Sequence, residues 1–158
     1  MVKTIDSAFN ALLENDLIRG LSEEQSREFY NHGKAVKAKS GTVFINENAR
    51  NRYIYLVLSG EVEVFLPDTA DRFSKVTLAR RLPGHYVGEY SFLDGSPASA
   101  SVKTISDCVL FQIPHHEVDI VFREDHQVGQ VIYRNLLVNL VDRLRESHQE
   151  LDAIQPFT

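Results

Sequence analysis

The stretch from Pro83 to Val102, PGHYVGEYSFLDGSPASASV, constrains the fold more than any other part of the chain. Gly88 precedes residues 89–93, which have the composition of one or two helical turns. Residues 94–97, Asp-Gly-Ser-Pro, end that helix, and the small residues at 98–102 are typical of a strand. The pattern predicts a short helix between two strands. Its first backbone N–H groups are unpaired and favour an anion.

Several side chains around this helix are candidates for binding a small molecule. Glu89 lies beside the free N–H groups and is an acceptor that could hold sugar hydroxyls. Ser91 and Ser99 could donate hydrogen bonds to a phosphate, and the small Ser99 and Ala100 would let a ligand approach the backbone. The alternatives are that Glu89 caps its own helix and that both serines are ordinary turn residues. Gly88 is expected to be structural, at a position where a side chain would obstruct a turn or a ligand.

This stretch resembles the phosphate-binding cassette of the cyclic nucleotide-binding domain family. The family pattern is Gly-Glu, aliphatic and small residues, a loop, and then Pro-Arg-small-Ala-x-Val. The matching positions are Gly88, Glu89, Ser91, Leu93, Pro97, Ser99, Ala100 and Val102. The resemblance implies that cyclic AMP or cyclic GMP is the candidate ligand. It implies ligand-binding roles for Gly88, Glu89, Tyr90, Ser91, Pro97, Ala98, Ser99 and Ala100.

One cassette position departs from the family pattern, because Ala98 replaces the arginine that pairs with the cyclic phosphate. Arginine binds phosphate through two parallel charge-assisted hydrogen bonds, and losing them typically costs about 2–5 kcal/mol. A helix N-terminus supplies only about 0.3–2 kcal/mol. Arg80 and Arg81 are near in sequence, but nothing in the pattern directs either guanidinium to the site. We therefore expect weak or absent binding of ordinary cyclic nucleotides.

Two helices are predicted before the first strand. An amphipathic helix from about Thr4 to Leu17 is indicated by the spacing of Ile5, Phe9, Leu12, Leu13 and Leu17. Ser22 and Gln25 have the spacing of a capping box, which predicts a second helix running to about Asn31.

Short apolar runs separated by glycine turns occupy the middle of the chain and predict an antiparallel sandwich or barrel. The predicted strands are Thr42–Ile45, Tyr53–Leu58, Glu61–Leu66, Lys75–Leu82, Ser99–Ile105 and Cys108–Ile113. Ser59-Gly60 is expected to close a tight hairpin between the second and third strands, and the last two strands are expected to form another. The segment YIYLVLSGEVEVF also resembles the central hairpin of the same family.

The chain is predicted to be helical from Pro114 to near its end, with a joint at residues 123–126 and a long helix from about Gln127 to Asp152. This helix has two apolar stripes. One, suited to packing on the barrel, is Val128, Ile132, Leu136 and Leu140. The other has heptad spacing and comprises Tyr133, Leu137, Leu140, Leu144 and Leu151. The second stripe predicts a homodimer, and the alternative is that it packs on the N-terminal helices.

Together these patterns predict one domain over residues 1–158, with an antiparallel jelly-roll-like double-stranded β-helix barrel. Helices are expected at 1–33, the barrel at 40–113 with the cassette helix at 88–93, and further helices at 114–152. The resemblance covers roughly Leu17 to Leu151. It implies a non-catalytic regulatory module in which nucleotide binding repositions the terminal helix. The alternative is a degenerate pocket that senses another small ligand or serves an unidentified protein partner.

Other functions are disfavoured by composition. The net charge of -5 and the few residues after Leu151 argue against direct DNA binding. Cys108 lies in an apolar run and is expected to be a buried hydrophobic residue. No apolar run has the length of a membrane span and no signal peptide is evident, so a soluble cytoplasmic protein is expected.

Neither an enzyme nor a metal protein is predicted from the titratable residues. His115 and His116 are adjacent and therefore point apart, and His85 with Glu89 supplies only two ligands. No combination of nucleophile, base and orienting group is evident in the sequence. We therefore expect no catalytic residues and no metal site.

Overall fold

Two four-stranded antiparallel sheets form the centre of the molecule in a computed structural model, which describes the backbone of residues 2–154 and the side chains of residues 7–154. The predicted jelly-roll-like fold with flanking helices is confirmed. The strands are β1 Lys34–Ala38, β2 Val43–Ile45, β3 Tyr53–Ser59, β4 Val62–Leu66, β5 Val76–Arg81, β6 Tyr86–Val87, β7 Ser101–Thr104 and β8 Cys108–Pro114. One sheet has the order β1-β8-β3-β6 and the other β2-β7-β4-β5.

Within residues 2–154, five α-helices flank the sheets. They are α1 Val2–Leu13, α2 Glu23–Asn31, α3 Glu89–Asp94, α4 His115–Glu124 and α5 His126–Ile154. The predicted capping box is present at the start of α2, where Ser22 accepts from the Gln25 N–H and the Gln25 side chain accepts from the Ser22 N–H. Asp125 separates α4 from α5 and accepts the N–H groups of Gln127 and Val128. The predicted joint and long helix are confirmed.

Both predicted hairpins are wrong. β3 pairs with β6 and β8, whereas β4 pairs with β5 and β7, so Ser59-Gly60 carries the chain from one sheet to the other. β7 and β8 likewise belong to different sheets. Gly60 has a φ of 82°, and a Cβ there would lie 2.4 Å from the Asp107 carbonyl oxygen. In this fold the positive φ of Gly60 serves a sheet-to-sheet corner.

The N-terminal region differs from the prediction in two places. α1 ends at Leu13 rather than Leu17, because the buried Asn15 accepts the Leu17 N–H and starts a separate 3₁₀ turn at Asp16–Ile18. The side chain of Ile5 lies outside the described residues. β1 was not predicted, and the sheet region therefore begins at Lys34 rather than at residue 40.

The start of α4 also differs from the prediction. Pro114 ends β8 and is the N-cap residue of α4 instead of its first helical residue.

The apolar core has two parts, which meet at the β1-β8-β3-β6 sheet. Between this sheet and the helices lie Phe9, Leu12, Leu17, Phe29, Leu56, Phe111, Ile113, Val128, Ile132 and Leu136. Between the two sheets lie Ile45, Val57, Val62, Val87, Ala98, Val102, Cys108 and Leu110. Cys108 is thus buried, as predicted. Burying each large apolar side chain contributes about 1.5–3 kcal/mol, which ties the helices firmly to the sheets.

The two stripes of α5 have different environments. Val128, Ile132 and Leu136 of the first stripe are buried against the rest of the molecule, as predicted, whereas Leu140 is only half-buried. Leu137, Leu144 and Leu151 of the second stripe are 62%, 59% and 60% exposed, so the N-terminal helices do not cover it. Within the described residues, no helix combines the length and apolar content that crossing a bilayer would require.

Candidate ligand-binding site

A cavity of about 270 Å³ lies where α3, the residues before β7 and the C-terminal half of α5 meet. Every residue predicted to bind a ligand lines it except Pro97, which is exposed on the loop after α3. The full lining is Ile45, Asn51, Val64, Leu78, Ala79, Arg81, Tyr86, Val87, Gly88, Glu89, Tyr90, Ser91, Ala98, Ser99, Ala100, Val102, Arg143, Glu146, Ser147 and Glu150. The cavity thus combines an apolar floor with polar groups from three separate segments.

The entry to α3 is held in a conformation that only glycine adopts readily. Gly88 has a φ of 90°, and a Cβ there would lie 2.5 Å from the Tyr53 carbonyl oxygen. The Asn51 amide donates to the Tyr53 and Gly88 carbonyls at 2.8 and 3.3 Å. His115 Nε2 donates to the Gly88 carbonyl at 3.3 Å, and burial lowers the pKa of this imidazole. The backbone that opens the cavity is therefore fixed from two sides.

Ala98 is buried between the sheets and its backbone is tied to the loop at residues 46–51. Its N–H donates to the Ala49 carbonyl at 2.9 Å, and its carbonyl accepts the Asn48 N–H at 2.8 Å. Its methyl group borders the cavity. These two backbone hydrogen bonds fix the position of Ala98 in the cassette, although the Ala98 side chain offers no positive charge.

Glu89 is 4% exposed and is paired with an arginine that the sequence analysis did not identify. Arg143 Nη1 donates to Glu89 Oε1 at 2.6 Å and to the Tyr90 hydroxyl at 3.0 Å. Burial disfavours the charged form of the Arg143 guanidinium. The adjacent Glu89 carboxylate outweighs this effect and raises the pKa of Arg143. The contact joins α3 to α5 across the cavity.

A second guanidinium lines the cavity, from β5. Arg81 lies there, whereas Arg80 is directed to Glu61 at 3.7 Å. Burial, together with the positive charge of Arg143, lowers the pKa of Arg81 from its ordinary value. The sequence pattern directed neither arginine to the site, and the structure places Arg81 at the cavity. Because successive side chains of a strand point to opposite faces, the sequence indicates that Arg80 and Arg81 lie on different faces of β5. It does not indicate which of the two faces the cavity.

The wall formed by α5 adds further polar groups. The Asn139 amide, which lies behind the cavity lining, donates to the Tyr86 hydroxyl at 2.6 Å, and burial raises the pKa of Tyr86 to about 12. Glu146, Ser147 and Glu150 line the outer part of the cavity. The site can therefore hold a small polar molecule between hydrogen-bonding groups of α3 and α5. His85 is not part of it, since its Nδ1 lies 3.4 Å from Asp16.

Comparison with known proteins identifies the kind of domain that contains this cavity. Residues 35–125, more than half of the chain, match the family model described as "Cyclic nucleotide-binding domain". The Pycsar effector protein XpPycTIR of Xanthomonas perforans is 29% identical over 122 residues, 77% of this chain and 37% of that protein. A cAMP-dependent protein kinase regulatory subunit of Mycosarcoma maydis is 24% identical over 135 residues, 80% of this chain and 26% of that protein.

A solved structure shows the same architecture. The Thermus thermophilus Catabolite Activator Protein superposes with a TM-score of 0.76 at 27% identity, covering 89% of this chain and 63% of that chain. The chain spans well under half the length of the curated relatives named above. The similarity therefore concerns one domain of larger proteins.

Proposed function

We propose that this chain, which belongs to the cyclic nucleotide-binding domain family, is a non-catalytic regulatory module that senses cyclic AMP or cyclic GMP and relays binding through α5. The observation that carries the proposal is the cavity bounded by Gly88, Glu89, Ser99 and Ala100, with α5 as its opposite wall. The name of the kinase regulatory subunits among its relatives supports cyclic AMP as one ligand to test.

The residues at the entry to α3 and before β7 have distinct roles in this proposal. Glu89 accepts hydrogen bonds from ribose hydroxyls, and the N–H groups at the start of α3 face the phosphate, with Ser91 and Ser99 as added donors. Gly88 and Ala100 let the ligand approach the backbone. Tyr90, which is partly exposed and bonded to Arg143, lies at the rim.

Binding of ordinary cyclic nucleotides is proposed to be weak, because Ala98 provides no partner for the phosphate. Ala98→Arg should raise affinity about a hundredfold, which corresponds to roughly 3 kcal/mol. Adding Glu89→Ala to that variant should lower affinity again. Calorimetric titration with both nucleotides measures these changes. Ser96→Arg is the matched control, since it adds the same charge to an exposed position of the same loop.

Two results would contradict this account. Micromolar or tighter binding by the unmutated protein would mean that another group, with Arg81 and Arg143 as the nearest candidates, replaces the missing arginine. No gain in Ala98→Arg would mean that the pocket has diverged further. The second function, a protein-interaction module, would then be the better description.

The observation that favours an interaction role is the uncovered second stripe of α5. We propose that Leu137, Leu144 and Leu151, with Tyr133, form a homodimer interface. The double substitution Leu137→Asp and Leu144→Asp should give a monomer in sedimentation velocity. Thr77→Asp with Ser96→Asp adds the same charge away from α5 and should leave the dimer intact. A wild-type protein that is monomeric at tens of micromolar, roughly the range of a weak interface, would rule the dimer out.

A further inference from the structure

A cluster of metal-ligating side chains lies away from the cavity, where the C-terminal end of α2 meets α4. Glu28 and His32 come from the α2 side, and Glu117 and Glu124 come from α4. We propose that this cluster binds one divalent transition-metal ion such as Zn²⁺, with Glu28, His32 and Glu124 as the ligands. The proposal is independent of the nucleotide-sensing function.

The distances between the three ligand atoms suit a single ion. His32 Nε2 lies 3.3 Å from Glu28 Oε1 and 3.8 Å from Glu124 Oε2, and the ligand atoms are all within 4.8 Å of one another. Zinc ligands lie about 2.0–2.2 Å from the metal, and in a tetrahedron this places them roughly 3.3–3.6 Å apart. Both glutamate side chains are 59% exposed, so small rotations can close the remaining difference.

The imidazole is already oriented for coordination. His32 Nδ1 lies 2.7 Å from Glu117 Oε2, and the His32 side chain is only 16% exposed. When Nδ1–H donates to Glu117, the lone pair of Nε2 is directed towards the other two carboxylates. Metal-ligating histidines almost always donate their other ring N–H to a carboxylate, a backbone carbonyl or water, and the Glu117 carboxylate is such a partner here.

The same geometry requires a cation at its centre. A neutral imidazole lone pair that faces two carboxylates is unfavourable unless a proton or a metal ion lies between them. A proton on Nε2 is therefore the competitor of the metal ion. A surface group of acids alone would lack both the largely buried imidazole and its orienting partner.

The donor set indicates which class of metal fits. Mg²⁺ and Ca²⁺ prefer oxygen ligands, whereas one imidazole with two carboxylates suits Zn²⁺ or Co²⁺ and leaves a fourth position for water. Glu28 and His32 are four residues apart, which places them on one face at the end of α2. Because Glu124 comes from α4, the bound ion would join the N-terminal helices to the C-terminal ones.

The proposal is tested by calorimetric titration of the EDTA-treated full chain with Zn²⁺ at about pH 7.5. A mildly alkaline pH is chosen because the metal ion competes with protons for the imidazole nitrogen. We expect one equivalent to bind with micromolar affinity and to raise the melting temperature. His32→Gln should weaken binding at least about a hundredfold, and Glu117→Gln, which changes only the orienting group, about 10–100-fold. Glu124→Gln should also weaken zinc binding. Because the Glu124 side chain is exposed, this loss of affinity would not be caused by a change in folding.

His85→Gln is the matched control, because His85 is also paired with a carboxylate, that of Asp16, but has no second carboxylate partner among the described residues. Its zinc binding should equal that of the wild type. Absence of binding at 100 µM Zn²⁺ would overturn the proposal and leave a proton as the only occupant. Binding that survives both His32→Gln and Glu124→Gln, or that is lost equally in His85→Gln, would show adventitious surface coordination and would also overturn it.

Discussion

Replacing Arg143 with methionine should destabilise the protein because it leaves a buried carboxylate without its cation. Glu89 is 4% exposed, and the substitution removes the 2.6 Å hydrogen bond to it and the 3.0 Å bond to Tyr90. Breaking a fully buried ion pair costs about 3–5 kcal/mol, whereas a hydrogen bond to a charged group contributes about 1.5–3 kcal/mol. The Arg143 side chain is 27% exposed, which screens part of the interaction. We therefore expect a loss of about 2–3 kcal/mol.

A double-mutant cycle in urea denaturation isolates this interaction. Arg143→Met and Glu89→Gln should each destabilise, and the double variant should lose about 1.5–2.5 kcal/mol less than their sum. Arg145→Met removes an exposed arginine from the same helix and should change stability by no more than about 0.5 kcal/mol. Additive single effects, or a loss below about 0.5 kcal/mol for Arg143→Met, would refute the reasoning.

Two further predictions concern pH and backbone conformation. Glu117 raises the pKa of His32, so stability from this group should be complete below the unfolded value of about 6.5 and fall as pH rises through the folded pKa. His32→Gln should remove that fall in urea denaturation with EDTA present, and an unchanged pH profile would contradict the assignment. Gly88→Ala should destabilise by more than Gly95→Ala: both have positive φ, but only at Gly88 would the Cβ clash with the Tyr53 carbonyl. Equal melting temperatures for the two alanine variants would contradict this.

Features encoded by neighbouring residues could be predicted from the sequence. The capping box at Ser22, the joint at Asp125 and the buried stripe of α5 depend on residues within a few turns of one another. The hairpins failed because strand pairing is non-local. A glycine with positive φ serves a hairpin and a sheet-to-sheet corner equally well, so Gly60 alone could not tell which strands would pair. α1 ends early because the Asn15 side chain accepts the Leu17 N–H and caps the following 3₁₀ turn. How much this cap stabilises the turn depends on the packing of Leu17 in the core.

The candidate site divides in the same way. The cassette could be recognised from its resemblance to the family pattern at Gly88, Glu89 and Ala100, because the matching residues are close in sequence. Arg143 was missed because it follows Glu89 at a long separation and lies on a helix whose apolar stripes dominated its interpretation. The feature of the sequence that could have indicated this pair is an arginine on a C-terminal helix expected to pack on the barrel, together with an acidic residue in the cassette. The His32 cluster was missed for the same reason, since α2 and α4 are brought together only by the fold.

The placement of the charges suggests how binding would reach α5. The cassette has no cation of its own at position 98, and among the described residues the guanidinium groups that line the cavity belong to Arg81 and Arg143. Glu89 is already engaged by Arg143. A ligand that uses Glu89 as its acceptor must therefore share or displace a residue of α5. Leu144, which belongs to the exposed stripe, directly follows Arg143, so a ligand that displaces the helix backbone at Arg143 would also displace the proposed dimer face. A residue that lines the cavity and a residue of the proposed dimer face are thus neighbours on α5.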